Sequence, residues 1–207
     1  PCLDFLHEFE PILGNGDLAD SGIARRISPA IMSYHDIQYQ SMAPEVMDAE
    51  QLAWLQSHLW ILSGLYGCVR PFHAVEPYRL EMGAKLAVDD ARDLYAFWSD
   101  KLARAIAPAG SNTTIVNLAS VEYAKAVLPH LAGDATAVTC LFGEGVRNGK
   151  PIQRSTASKK ARGSMVRWMA ENKLEDASEL TAFNIGYRHI PELSDKNTLV
   201  FMNAQAQ

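Results

Sequence analysis

Apolar and polar positions alternate along this chain with a period that changes several times. Leu52, Leu55, Leu59 and Leu62 recur at helical spacing behind Asp48, with Gln51 three residues beyond that aspartate. The stretch predicts a helix opened by a capping box and stopped by Gly64 and Gly67. Leu94, Tyr95, Trp98, Leu102 and Ile106 predict a second helix over 91–107, halted by Pro108 and Gly110. The β-branched run 113–118 reads as a strand, and Ser120 as the N-cap of a helix reaching Leu128. Another strand is predicted over 136–142, paired with 152–156 through the hairpin dipeptide Asn148-Gly149. A basic helix over 158–172 carries Ala161, Met165, Trp168 and Met169 on one side. A short helix over 179–183 and a strand over 198–201 follow, and Leu3, Phe5, Leu6 and Phe9 have helical spacing near the start. Strands and helices alternate irregularly, so the pattern predicts one mixed α+β domain over 1–207 rather than a doubly wound one.

Composition narrows the class. At 207 residues, 48% hydrophobic and 21% charged, the chain can bury a sizeable core. No apolar run approaches the roughly 20 residues that span a bilayer, and no basic segment leads into an apolar one at the start. Neither a membrane span nor a secretory leader is therefore predicted. Cys2, Cys68 and Cys140 are widely spaced, without a C-x-x-C, which predicts a reducing cytoplasm and no disulfide framework. The net charge of −5 is unevenly spread. Residues 1–60 hold nine acids against two bases, whereas 145–173 hold eight bases against Glu171 alone. This asymmetry predicts an acidic half and a basic face able to attract phosphate or another anion.

Candidate chemistry is densest in Leu62-Ser-Gly-Leu-Tyr-Gly-Cys-Val-Arg-Pro71 and Pro77-Tyr-Arg-Leu-Glu-Met-Gly83. Gly64 and Gly67 have two readings. They let backbone amides approach a phosphate, as in the hairpin of helix-hairpin-helix DNA-binding elements, or they form a tight connection beneath the core. Arg70, Arg79 and Glu81 are either an anion clamp beside a general base or an ion-pair cluster that orients chain segments. Arg79 and Glu81 share a face if this stretch is extended. Lys159, Lys160 and Arg162 stand near a helix start, a phosphate site or a solvated face. Helical spacing groups Lys159, Arg162 and Val166, and separately Lys160 and Arg167. Gly163 costs a helix interior about 1 kcal/mol relative to alanine, which predicts close packing against another segment. The six histidines show no metal-binding spacing, and G-x-S-x-G, P-loop and G-x-G-x-x-G motifs are absent, so no metal or cofactor is assigned.

These runs, with Asp93-Leu-Tyr-Ala-Phe-Trp98, Val116-Asn-Leu-Ala-Ser-Val-Glu-Tyr123, Ala157-Ser-Lys-Lys-Ala-Arg-Gly163 and Phe183-Asn-Ile-Gly-Tyr187, occur in an order that resembles the YaaA family of bacterial peroxide-stress proteins. The likeness extends from about Ala30 to Phe201. It implies a compact α/β fold with a positively charged cleft and a helix-hairpin-helix-like element. It also implies binding of duplex or branched DNA without sequence readout, and protection from iron-dependent oxidative damage. Carried over residue by residue, the cleft would include Arg70, Arg79, Lys159, Lys160 and Arg162, while Tyr39, Asn117, Glu122 and Tyr123 match further family positions. Two departures stand out. The family pattern Lys-Gly-Asp-x-Tyr-x-Gly-Leu is His35-Asp-Ile-Gln-Tyr-Gln-Ser-Met42 here, and the hydrophobic strand with which members usually begin has no counterpart. A second function is therefore carried forward. In it the cleft is the pocket of an enzyme acting on a small anionic ligand, with Arg79 as clamp, Glu81 or His35 as acid/base, and Tyr39 or Tyr123 as donor.

Overall fold

A mixed four-stranded sheet frames the molecule because its central strands are the most apolar segments of the chain. The computed structural model describes residues 27–205; the apolar repeat near the start and Cys2 lie outside these. Strand β5 (Thr114–Asn117) runs parallel to β6 (Thr136–Gly143), whose other edge pairs in parallel with β10 (Thr198–Asn203). Outside β10, β9 (Tyr187–His189) lies antiparallel. Register is fixed from Thr198↔Thr139 through Met202↔Gly143, which sends Phe142 and Phe201 to the same face. Their rings stack at 5.5 Å and meet Phe183 edge-on, forming the centre of the main core.

Helix α7 (Ser155–Glu171) covers this face, burying Ala161, Met165, Val166 and Ala170. Across it lies α2 (Ile37–Met42). The crossing depends on Gly163. A Cβ there would stand 2.0 Å from the Gln38 carbonyl oxygen and 3.0 Å from the Met42 nitrogen. The segment that the helix-interior glycine implied is therefore α2. Helix α3 (Ala49–His58) also touches α7 and begins as its sequence predicts, with Asp48 accepting from the Gln51 amide and Gln51 accepting from the Asp48 amide.

Four expectations change. The α3 helix stops at His58, and its last turn is met from outside by Arg70, whose guanidinium donates to the Ser57 and Leu59 carbonyls. Leu62 belongs instead to β2 (Ile61–Ser63), which forms a hairpin with β3 (Gly67–Val69). The stretch 91–107 is two helices, α4 (Leu94–Trp98) and α5 (Lys101–Ile106), separated at Ser99 with φ 47°. Asp93 caps the first, and the break lets the Trp98 indole N–H donate to the Gly64 carbonyl. Asn148-Gly149 does turn a hairpin, but between the two-residue strands β7 (Val146–Arg147) and β8 (Lys150–Pro151). Strand β6 has both edges filled by β5 and β10, so 152–156 finds no sheet position and its end opens α7. Ser120 caps α6 (Val121–Ala124) as predicted, yet the α-helix ends before Pro129, where a 3₁₀ turn (Leu128–His130) follows. The remaining elements are β1 (Ser28–Pro29) paired with β4 (Ala74–Val75), and α1 (Ala30–Ser33). The chain is a mixed α/β domain. A smaller cluster of Met82, Leu94, Leu102, Ala103, Ala126 and Val127 supports the side opposite the main core. Among the described residues no helix is long and apolar enough to cross a membrane.

Candidate functional site

Between the two apolar clusters opens a cleft of about 890 Å³, floored by the carboxyl end of β5 and walled by α2 and α7. Ligand sites of open sheets with parallel strands favour this end. Asp36 sets the α2 wall. One carboxylate oxygen accepts from the Gln38 and Tyr39 amides, capping the helix, and the other accepts from Lys159 on α7 at 3.0 Å. Asn117, at the end of β5, is held by donating to Thr139 and accepting from the Ala119 amide.

Eight of the residues singled out from sequence line this cleft: His35, Tyr39, Arg70, Glu81, Asn117, Tyr123, Lys159 and Arg162. Lys159, Arg162 and Val166 share the cleft-facing side of α7, as helical spacing implied, whereas Lys160 is exposed and does not line it. Arg79 is likewise exposed and outside the cleft, and forms no ion pair with Glu81 among the described residues. Gly64 and Gly67 lie in the β2–β3 turn, which joins two strands rather than two helices. Gly67 has φ 76°, and a Cβ there would press on the Trp98 ring at 2.7 Å. The Leu65 and Tyr66 amides of that turn donate to the Ser63 hydroxyl, so the backbone donors a phosphate would use are engaged internally. The turn is the tight connection beneath the core that its glycines also permitted.

The charges around the cleft are mostly engaged. Arg70 holds the end of α3 and lies 3.7 Å over the Trp60 ring. Lys159 is paired with Asp36. Glu122 accepts from the Gly83 amide, and Glu175 faces His58 at 3.5 Å. Arg162 differs. Its Nε is buried without a hydrogen-bond partner, and desolvation lowers its pKa below the usual guanidinium range. Such an orphaned donor in a cleft calls for an acceptor from outside the chain.

A cluster of phenols that sequence reasoning passed over faces Arg162's side of the cleft. Tyr34 stacks on Tyr39 at 5.2 Å and shares a 2.9 Å hydrogen bond with Tyr78, whose hydroxyl is 2.6 Å from Ser63 Oγ. Tyr78 and Ser63 sit inside the two runs that drew notice, but the 44-residue separation of Tyr34 and Tyr78 left no local signal. Burial raises the Tyr34 and Tyr39 pKa values well above the ordinary range, and burial with the nearby Tyr78 pushes Tyr123 up to about 12. All three are therefore O–H donors at neutral pH. On β6, burial also pushes the Cys140 thiol up to about 12.

These shifts have a measurable sign. The folded chain holds the Cys140 and Tyr123 protons beyond their ordinary pKa values of 9.0 and 10.0. The unfolded chain releases them first, so their stabilisation is complete below about pH 9 and is lost as pH rises toward 12. The urea midpoint is expected to fall across this window, and less steeply in Cys140→Ala. A midpoint level from about pH 9 to 11 contradicts the burial of these groups.

A family model described as "Peroxide stress protein YaaA" matches residues 10–193. A UPF0246 protein of Desulfitobacterium hafniense (strain Y51) is 45% identical over 181 residues, covering 87% of this chain and 71% of the relative. One from Pediococcus pentosaceus is 47% identical over 178 residues, covering 86% and 70%. One from Lachnoclostridium phytofermentans is 42% identical over 191 residues, covering 91% and 73%.

Proposed function

The chain belongs to the peroxide stress protein YaaA family, and on that premise we propose that it serves peroxide defence by binding DNA, with the cleft taking the phosphates of an unpaired or branched strand. The observation that carries this reading is Arg162, a half-buried cation lining the cleft with an unpartnered Nε–H. A phosphate oxygen supplies the acceptor and the countercharge together. The cleft's width suits a single strand, so duplex flanks lie across its mouth, where Lys160 is exposed. The β2–β3 turn acts here as the platform under the Leu80–Glu81 backbone and not as the phosphate clasp of a helix-hairpin-helix. Contacts limited to phosphates give no sequence readout. Cations of the protein also compete with iron ions for those phosphates, which links binding to protection.

One observation favours a second reading. Asp36, Glu81, Glu122, Glu175 and Asp176 all line the cleft, and the Glu81 carboxylate has no hydrogen-bond partner among the described residues. In a small-molecule enzyme Glu81 would be the acid/base and Arg162 the anion clamp in place of Arg79. Binding to labelled duplex, junction and single-stranded DNA across a salt titration separates the two. Junction and single-stranded DNA are expected to bind more tightly than plain duplex. Log affinity is expected to fall with log salt by about 0.7–0.9 per phosphate contacted, and less steeply after joint replacement of Lys159, Lys160 and Arg162 by alanine. No binding at low salt refutes the DNA reading.

A further inference from the structure

Three hydroxyls beside the cleft have a proton order that can be worked out by counting. Ser63 Oγ accepts from the Leu65 amide at 3.2 Å and from the Tyr66 amide at 2.8 Å. A hydroxyl has two acceptor sites, so Ser63 is saturated and its own O–H must be the donor in the 2.6 Å contact with Tyr78. Tyr78 Oη, receiving that proton, shares its remaining contact of 2.9 Å with Tyr34 Oη. Tyr34 lines the cleft and Tyr78 does not. The arrangement that satisfies Tyr78 has it donate to Tyr34, and the Tyr34 O–H is then the one proton of the chain without an acceptor.

We propose that the Tyr34 O–H and the Arg162 Nε–H together form a preset seat for a phosphate-type oxyanion, with Ser63 and Tyr78 as positioning residues that aim the Tyr34 proton into the cleft. The two halves of the seat rest on independent observations, a directed hydroxyl chain on one side and an orphaned, desolvated guanidinium donor on the other. They are joined structurally. Tyr34 stacks on Tyr39 of α2, and α2 crosses α7 against Gly163, the residue next to Arg162. Successive hydroxyls in such a chain polarise one another, which strengthens the terminal donor. An oxyanion suits both groups because it offers several lone pairs and neutralises the guanidinium, whereas a neutral acceptor does only the first. Lys159 and Asp36 at the rim, and Glu81 and Glu122 on the floor side, also face the cleft, so the seat selects a compact anion over a diffuse one. The identity of the ligand as nucleic acid rests on the function proposed above; the seat itself does not.

Inorganic phosphate tests the seat and single-stranded DNA tests the reading. A buried arginine Nε–H exchanges slowly enough to be followed by heteronuclear NMR, so the Arg162 signal reports occupancy directly. Phosphate is expected to shift that signal saturably in the wild type. Tyr34→Phe is expected to weaken phosphate at least tenfold, while Tyr78→Phe, which leaves the Tyr34 proton in place, weakens it about threefold or less. Near-ultraviolet circular dichroism checks that both variants keep the fold. Phosphate affinity of Tyr34→Phe within about twofold of wild type, or no shift of the Arg162 signal up to about 50 mM phosphate, overturns the seat. A saturable phosphate shift without any DNA binding upholds the seat and overturns the nucleic-acid reading.

Discussion

Gly163→Ala is expected to lose about 3 kcal/mol of stability or more, and with it the cleft. The sign runs against helix propensity, because alanine in an ordinary helix interior gains about 1 kcal/mol over glycine. Position 163 is not ordinary. The added methyl would stand 2.0 Å from the Gln38 carbonyl oxygen, and backbone cannot swing aside as a flexible side-chain end can. Carbon and oxygen in contact lie about 3.3 Å or more apart, so α2 has to retreat by more than an ångström. That retreat pulls Asp36 from Lys159 and carries Tyr39 away from the cleft, removing wall and rim together. Urea denaturation followed by circular dichroism measures the loss. A Gly163→Ala protein as stable as wild type means that the helices do not cross in this way.

Arg162→Met is expected to split stability from binding. Methionine keeps most of the volume of the arginine stem and removes a desolvated cation whose Nε has no partner in the unliganded fold. Replacing a buried charge by an apolar side chain of similar size is often neutral or favourable, so the urea midpoint holds or rises, by the equivalent of about 1 kcal/mol. Affinity for phosphate and for single-stranded DNA falls, by contrast, about 10- to 100-fold, the worth of a charge-assisted hydrogen bond. Arg162→Lys restores charge but not the planar fork, and recovers only part of the affinity. If Arg162→Met unfolds easily while binding persists, the arginine is a structural group.

What could be read in advance follows how local each cause is. The Asp48–Gln51 box, the Ser120 cap and the Asn148-Gly149 turn are decided within four residues, and each is present. Gly163 was legible because a penalty inside a helix needs a tertiary reason, although its partner α2 lies 125 positions earlier. The common face of Lys159, Arg162 and Val166 follows from helical geometry alone. Elsewhere tertiary demands decided. The 91–107 helix breaks at Ser99 where Trp98 turns in to Gly64, and β6 takes β10, not the nearer 152–156, because β10 supplies Phe201 to the core. The family resemblance reached the right family, yet Arg79 and Lys160 lie outside the cleft, and Tyr34 was not singled out. Hydroxyl direction is a property of three residues from three segments, and no single stretch of sequence encodes it.

Strand β10 has a consequence for how the protein comes into being. It is the last strand of the sheet to leave the ribosome, yet it sits in the interior of the strand order, between β6 and β9. Until it arrives, one edge of β6 is bare and the aromatic centre lacks Phe201. Helix α7 then has only a partial surface to rest on, and α2 waits on α7. A nascent chain still tethered to the ribosome thus carries every cation of the cleft without the cleft itself. The protein acquires its affinity only on release, and its half-made copies stay off the chromosome.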